Sequence, residues 1–268
     1  MANFLLVHGE WHDARMWDGV VRHLEAAKNS LDIGEIIAVD LPGHGLRQSF
    51  DIRRITTDYY IEAAVTPVQV KRLSQITLVA HSFAATFAPQ VASRLGDALE
   101  RIIFIGGMIP SEGVAPLDTL PFLTRKMASI FGPQEKGIRL PSIVLKRALY
   151  NDVGGVEATK RVARLVPDPY LPWVTPMPAL KFPDGVPLTY VALSEDKFLT
   201  LEMQRAYAAS LPSAEVIEIK AGHEAPLVRA EMIAEILLRG VGERQEEKTD
   251  EEEGQAAEQE EVAKVEDE

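Results

Sequence analysis

The sequence predicts an α/β protein: a mostly parallel sheet with helices on both faces and a mainly helical insertion that forms a cap, or lid. Three observations carry this. Short apolar runs of strand length alternate with helix-like segments over residues 1–107 and again over 186–242, as strands joined by crossover helices do. The first run, Phe4–Val7, is apolar throughout rather than alternating, as in a strand buried on both faces. Between them, residues 108–185 are rich in proline and lose the alternation.

Taken in order, Phe4-Leu5-Leu6-Val7 reads as a buried strand that ends in His8-Gly9-Glu10-Trp11. A helix from about Met16 to Ala27 gathers Trp17, Val20, Val21 and Leu24 on one face. Ile36–Asp40 is the second strand, followed by Leu41-Pro42-Gly43-His44-Gly45. Residues 56–73 form a helix broken or bent near Pro67. Ile76–Ala80 is the next strand, with Ser82 at its joint to a small-residue helix, Ala84–Leu95. Pro89 is expected inside that helix, where it removes one backbone bond and bends the axis. Arg101–Ile105, Val186–Leu193 and Ala214–Ile219 complete the strands, and a last helix runs from about Leu227 to Leu238. Within the insertion, short helices are expected at 117–130, 141–150 and 155–165. Ligand sites in such sheets lie outside the carboxyl ends of the strands, so the insertion is expected to roof one. Its apolar content (Phe122, Leu123, Met127, Ile130, Phe131, Tyr150, Tyr170, Trp173) predicts an apolar substrate.

Composition bounds the remaining classes. A chain of 268 residues that is 46% hydrophobic can bury one large core plus a small cap. The division expected is a core of 1–107 and 186–242, a cap of 108–185 and an acidic tail of 243–268. The chain has no cysteine, which excludes a thiolate nucleophile and a disulfide framework. Of the net charge of −12, the tail holds thirteen acidic residues against three basic ones, leaving −2 for residues 1–242. No basic stripe suggests nucleic acid. The tail, with almost no large apolar residues, is expected to be disordered. No basic leader and no apolar segment of bilayer length is visible, so the expectation is a cytoplasmic protein with no membrane partner. The oligomeric state, monomer or homodimer, stays open.

Four segments fall at predicted strand ends. In the first, Gly9 lets backbone approach a ligand, and the Glu10 N–H becomes an oxyanion donor beside that of Phe83. The second, Ala80-His81-Ser82-Phe83-Ala84, has the strand–turn–helix context of a nucleophile elbow, with alanines where the usual Gly-x-Ser-x-Gly has glycines. The third, Leu193-Ser194-Glu195-Asp196-Lys197, is a place for an acid, Asp196 ahead of Glu195. The fourth, Lys220-Ala221-Gly222-His223, is a place for a base. A serine hydroxyl needs a base in reach and a carboxylate to orient that base, and Ser82, His223 and Asp196 supply the set. Gly9, Trp11, His12, His81, Phe122, Met127, Tyr150 and Trp173 are expected around the substrate. Asp40 reads as structural, and His44 as a neighbour of the pocket or a loop cap. No cluster has metal-ligand spacing and no Gly-rich phosphate loop occurs, so neither metal nor cofactor is implied.

The order Ser, Asp, His and the segments quoted resemble the α/β-hydrolase superfamily. The closer likeness is to the branch of plant methyl esterases, hydroxynitrile lyases and bacterial esterases. It rests on Phe4–Gly9, Val39–Gly45, His81-Ser82-Phe83, Ser194–Lys197, Gly222-His223 and the stretch from Ala148 to Pro176, and covers 1–240. It implies a Ser82–His223–Asp196 triad, an oxyanion hole from the Phe83 and Glu10 amides, and cleavage of small to medium, largely apolar carboxylic esters. Glu10 and Glu224 depart from the branch, where small or apolar residues are usual. Glu10 is expected to contribute only its N–H, its carboxylate disfavouring an oxyanion or an anionic substrate. The alternatives are lyase-like or other non-ester chemistry, and a non-catalytic small-ligand receptor. The lyases resembled use a threonine and a lysine where this chain has Gly9 and Glu224, which argues for ester cleavage.

Overall fold

The computed structural model describes residues 1–131 and 136–242; the acidic tail expected at 243–268 lies outside the described residues. Among the described residues, six strands form one sheet: β1 (Ala2–Val7), β2 (Ile33–Val39), β3 (Ile76–His81), β4 (Leu99–Ile105), β5 (Leu188–Leu193) and β6 (Glu215–Ile219). Their order is β2-β1-β3-β4-β5-β6, and every neighbouring pair is parallel. The chain winds outward from β1 to β2, then crosses back to place β3 on the other side of β1. The carboxyl ends of β1 and β3 therefore flank the point where winding reverses, the crevice where open α/β sheets bind ligands. Their register, Val7 opposite Ala80, sets His8 and His81 side by side.

The central strands are buried on both faces, and strand period two sorts their side chains between two core layers. Leu5, Val7, Leu78, Ala80, Ile102 and Phe104 face one layer, with Tyr60, Ala64 and Val68 of α2 (Thr57–Lys71) and Val91 of α3 (Ala88–Leu95). Phe4, Leu6, Val79, Ile103 and Ile105 face the other, under Val20 and Leu24 of α1 (Asp18–Ala27) and Ile233 and Leu237 of the last helix (Ala230–Leu238). Edge strand β6 carries Glu215 and Glu218 and is only half covered, which protects a free edge from pairing with another chain.

Two expectations need correction. Pro89 is not interior: a 3-10 turn, Ser82–Thr86, follows β3, and α3 starts only at Ala88, so Pro89 stands in the first turn where no backbone bond is lost. Pro67 lies within α2 without ending it. The last helix is two, Ala225–Val228 and Ala230–Leu238, separated at Arg229.

Among the described residues, five helices fall between β4 and β5: Pro116–Thr119, Phe122–Phe131, Ser142–Leu149, Gly155–Arg164 and Tyr170–Val174. Leu145, Leu149, Val162 and Trp173 join the core layer of α2 and α3. An antiparallel bridge pairs Ile138 with Asp168. Trp11, 1% exposed, fastens the loop after β1 to this segment: its ring N–H donates to the Ile138 carbonyl (2.8 Å), its carbonyl accepts from Val166 N–H (3.0 Å), and its ring stacks on Trp173.

Candidate active site

Ser82 follows β3 directly and has φ +50°, a left-handed conformation that L-residues other than Asn and Asp seldom take. Strain of this kind persists where the surroundings over-determine it. Its carbonyl accepts from Met108 N–H (3.1 Å), while its buried Oγ has no hydrogen-bond partner. Gly9 runs against this turn: a Cβ there would stand 2.8 Å from His81 Nδ1 and 2.9 Å from Ser82 Cβ. The close approach expected of Gly9 is toward protein.

Asp196 follows β5 and His223 follows β6. His223 Nδ1–H donates to Asp196 Oδ2 at 2.7 Å, both side chains fully buried. Asp196 Oδ1 accepts from Phe198 N–H (2.7 Å) and Leu199 N–H (2.9 Å), so the turn clamps the carboxylate. Gln204, also buried, donates to Asp196 Oδ2 (3.2 Å) and to the Leu199 carbonyl (2.7 Å), and accepts from Leu193 N–H (2.8 Å). Glu195 is half exposed and faces Lys220 (3.7 Å), away from His223.

The side chain of Glu10 is the principal departure from expectation. Expected to offer only its N–H, it turns its carboxylate inward: Oε1 accepts from His223 Nε2–H at 3.2 Å, and Oε2 accepts from Phe83 N–H at 3.1 Å. Both ring nitrogens of His223 thus face carboxylates, an arrangement that favours the imidazolium. Burial alone would push His223 down, but Asp196 and Glu10 outweigh it and hold it well above its ordinary value. Burial pushes Glu10 up; the bond to His223, that ring's charge and the Glu10 N–H outweigh it and bring Glu10 down to about 2. The chain pattern places Glu10 at a strand end, but no pattern reveals where its side chain goes.

His81, His8 and His12 are held by hydrogen bonds to neighbouring groups. His81 Nε2–H donates to the His223 carbonyl (2.9 Å), and burial followed by the His223 charge brings its value down to about 3. His8 Nδ1–H donates to the Gly9 carbonyl (2.7 Å) and Nε2 accepts from Leu41 N–H (3.1 Å). His12 Nδ1–H donates to the Glu10 carbonyl (2.8 Å), leaving Nε2 to accept from Tyr150 O–H (2.7 Å). Glu224 is buried 3.4 Å from His12 Nε2, and burial raises its value against the pull of His12 and His223.

Sequence reasoning missed Asp168, in a Pro-Asp-Pro stretch with no local signal. Its Oδ1 accepts from Trp11 N–H (3.0 Å) and His44 Nε2–H (2.8 Å), and Oδ2 from Trp173 Nε1–H (3.2 Å). Asp40 accepts from Ala14 N–H (2.8 Å) and Leu46 N–H (2.9 Å), a loop tie as expected. Of the expected pocket residues, Trp11, Tyr150 and Trp173 are buried near the site, and Trp173 packs on the Phe83 ring at 4.4 Å between centroids. Met127 packs, half-buried, against the core. Phe122 is corrected: it is 68% exposed, its ring under Arg125 and Lys126, and Leu123 and Ile130 are exposed too, because this helix presents that face outward.

A cavity of about 360 Å³, lined by Trp11, His12, Tyr150, Arg161 and Leu165 among others, opens on the His12–Tyr150 pair. A larger one of about 650 Å³ lies at the amino ends of the strands, beside Ala2, Thr77 and Arg101, away from these groups. Among the described residues, no three His, Cys, Asp or Glu side chains converge to hold a metal ion, and no helix is long and apolar enough to cross a membrane.

Residues 4–236 match the alpha/beta hydrolase family. The carbendazim-hydrolyzing esterase of Nocardioides sp. is 24% identical over 121 residues, 45% of this chain and 48% of that one, so the chain spans about half that relative's length. Methylesterase 7 of Arabidopsis thaliana is 26% identical over 84% of this chain and 90% of its own. Among solved structures, an extracellular α/β-hydrolase from a Paenibacillus species, described as sharing homology with tobacco salicylic acid binding protein 2, superposes with a TM-score of 0.78. It is 21% identical, over 90% of this chain and 99% of that one. A pyrethroid hydrolase superposes with a TM-score of 0.71 at 20% identity, over 88% and 96%. With its parallel sheet, its winding reversal beside Ser82 and a match running from β1 to the last helix, the chain belongs to the alpha/beta hydrolase family.

Proposed function

We propose that the protein is a carboxylesterase-type serine hydrolase acting on small to medium, largely apolar esters. The observation that carries this is the buried Asp196–His223 pair at 2.7 Å, set at the sheet end where Ser82 is held at φ +50°. The esterase names of the relatives support an ester as substrate. Ser82 Oγ attacks the ester carbonyl carbon while neutral His223 Nε2 takes its proton. The carbonyl oxygen becomes an oxyanion, held by the Phe83 and Glu10 N–H groups. The tetrahedral adduct collapses, its C–O bond to the alcohol breaks, and the alkoxide leaves with the proton from His223. Water, losing a proton to His223, then attacks the acyl-enzyme and releases the acid and free Ser82. Asp196 fixes the ring and stabilises the imidazolium throughout. Residues 108–185 act as the lid of a core formed by 1–107 and 186–242.

The test is a panel of p-nitrophenyl esters of varied acyl length, run beside mandelonitrile on one preparation. The reading predicts p-nitrophenol release that depends on acyl length and no benzaldehyde above background. Benzaldehyde release with every ester untouched would replace it by the lyase reading.

A further inference from the structure

We infer that the Glu10 carboxylate is a built-in plug of the acyl-transfer site, occupying the place of the carboxylate product so that substrate must displace it before Ser82 reacts. The inference rests on the serine-hydrolase reading above. In that mechanism the product acid leaves with one oxygen among the oxyanion donors and the other against His223 Nε2. Glu10 reproduces both contacts, with Oε2 on Phe83 N–H at 3.1 Å and Oε1 on His223 Nε2–H at 3.2 Å. Its own N–H, the second expected donor, also favours the carboxylate.

Two consequences are visible in the resting structure. Ser82 Oγ is buried without a partner, although buried hydroxyl groups are almost always paired. His223 has no lone pair to accept the serine proton, because both nitrogens already donate to carboxylates. The groups facing His223 are Asp196 from the loop after β5, Glu10 from the loop after β1, and His81 from the end of β3, its ring centroid 5.1 Å away. Glu224 is its chain neighbour. His81 is neutral, so Glu10 is the charge that holds the ring protonated on its catalytic side. Because Glu10 stays ionised far below neutral pH, acidification does not release it.

A neutral ester carbonyl is a poor competitor for donors already bound to a charged carboxylate. Displacement must draw on binding energy from remote parts of the substrate, so Glu10 selects against minimal esters and against substrates with a carboxylate near the acyl group.

The experiment is the rate at which a fluorophosphonate labels the full-length protein, followed by intact mass, for wild type, Glu10→Ala and Ser82→Ala, with p-nitrophenyl acetate kinetics alongside. Glu10→Ala should label about tenfold faster or more, a part of what one oxyanion donor is worth. Free acetate should inhibit Glu10→Ala by entering the vacated place and leave wild type untouched. Glu10→Gln keeps the shape without the charge; it should also label faster than wild type, which keeps the test open if the alanine variant fails to fold. Labelling of both folded variants at or below the wild-type rate, with Ser82→Ala unlabelled, overturns the plug alone. Labelling that survives Ser82→Ala overturns the serine reading.

Discussion

Asp168 offers the sharpest test of how the site is held together. It lies in the segment between β4 and β5, is 3% exposed, and accepts from Trp11 N–H, His44 Nε2–H and Trp173 Nε1–H at 2.8–3.2 Å. These donors come from the loop after β1, the loop after β2 and the helix Tyr170–Val174. Asp168→Ala strands all three in the interior. Each buried donor left unpaired costs about 1–3 kcal/mol. Removing one partner of a buried pair costs about 3–5 kcal/mol, which fits three donors at the low end of that range. For a folded unit of this size each kcal/mol shifts the midpoint by about 2–4 °C, so the expected fall is roughly 6–20 °C. Asp168→Asn keeps one accepting oxygen for Trp11 and His44 but turns an N–H toward the Trp173 N–H, and should cost about 1–2 kcal/mol. Urea unfolding with an unchanged slope and a thermal scan measure both. The next residue along the chain from Glu10 is Trp11, so ester turnover should fall with the alanine variant. A midpoint within 2 °C of wild type would refute the reasoning.

Four further outcomes follow from the same geometry. His223 must be neutral to act as base, and Asp196 and Glu10 raise its value, so activity should climb only above the ordinary histidine range; Glu10→Gln should move that limb to lower pH. For the same reason His223 contributes stability that is full below about pH 6.5 and is lost as pH rises through its raised folded value, which unfolding at stepped pH will read. Ser82→Gly should be more stable than Ser82→Ala by about 1 kcal/mol in urea, since glycine tolerates φ +50°. Gln204→Leu should cost about 2–4 kcal/mol by leaving Leu193 N–H unpaired and Asp196 less firmly held, and should lower kcat more than it raises KM.

Much of the frame was legible because its signal is local. A strand buried on both faces is mostly apolar, so Phe4–Val7, Ile76–Ala80 and Ile102–Ile105 announce themselves, and each candidate residue lies a few residues beyond an expected strand. Ser82, Asp196 and His223 are singled out as candidates by that placement. What the chain does not encode locally is where a side chain points once several loops meet. Glu10 is one residue past Gly9 whatever its carboxylate does; only the packing of three loops turns it onto His223 and Phe83. Asp168 and Gln204 have partners 5 to 157 residues away, and no spacing marks them. The exposed face of Phe122, Leu123 and Ile130 misled because apolar content says that a helix is apolar, not which side the neighbouring elements cover. Pro89 misled because the 3-10 turn after Ser82 delays the start of α3.

The central claim is that Ser82 is the nucleophile of an ester hydrolase. Turnover of a p-nitrophenyl ester by Ser82→Ala, on protein shown to keep the wild-type thermal midpoint, tests it most directly. The account predicts a loss of kcat of about a thousandfold or more at that preserved stability. A Ser82→Ala protein that keeps most of its turnover would contradict it.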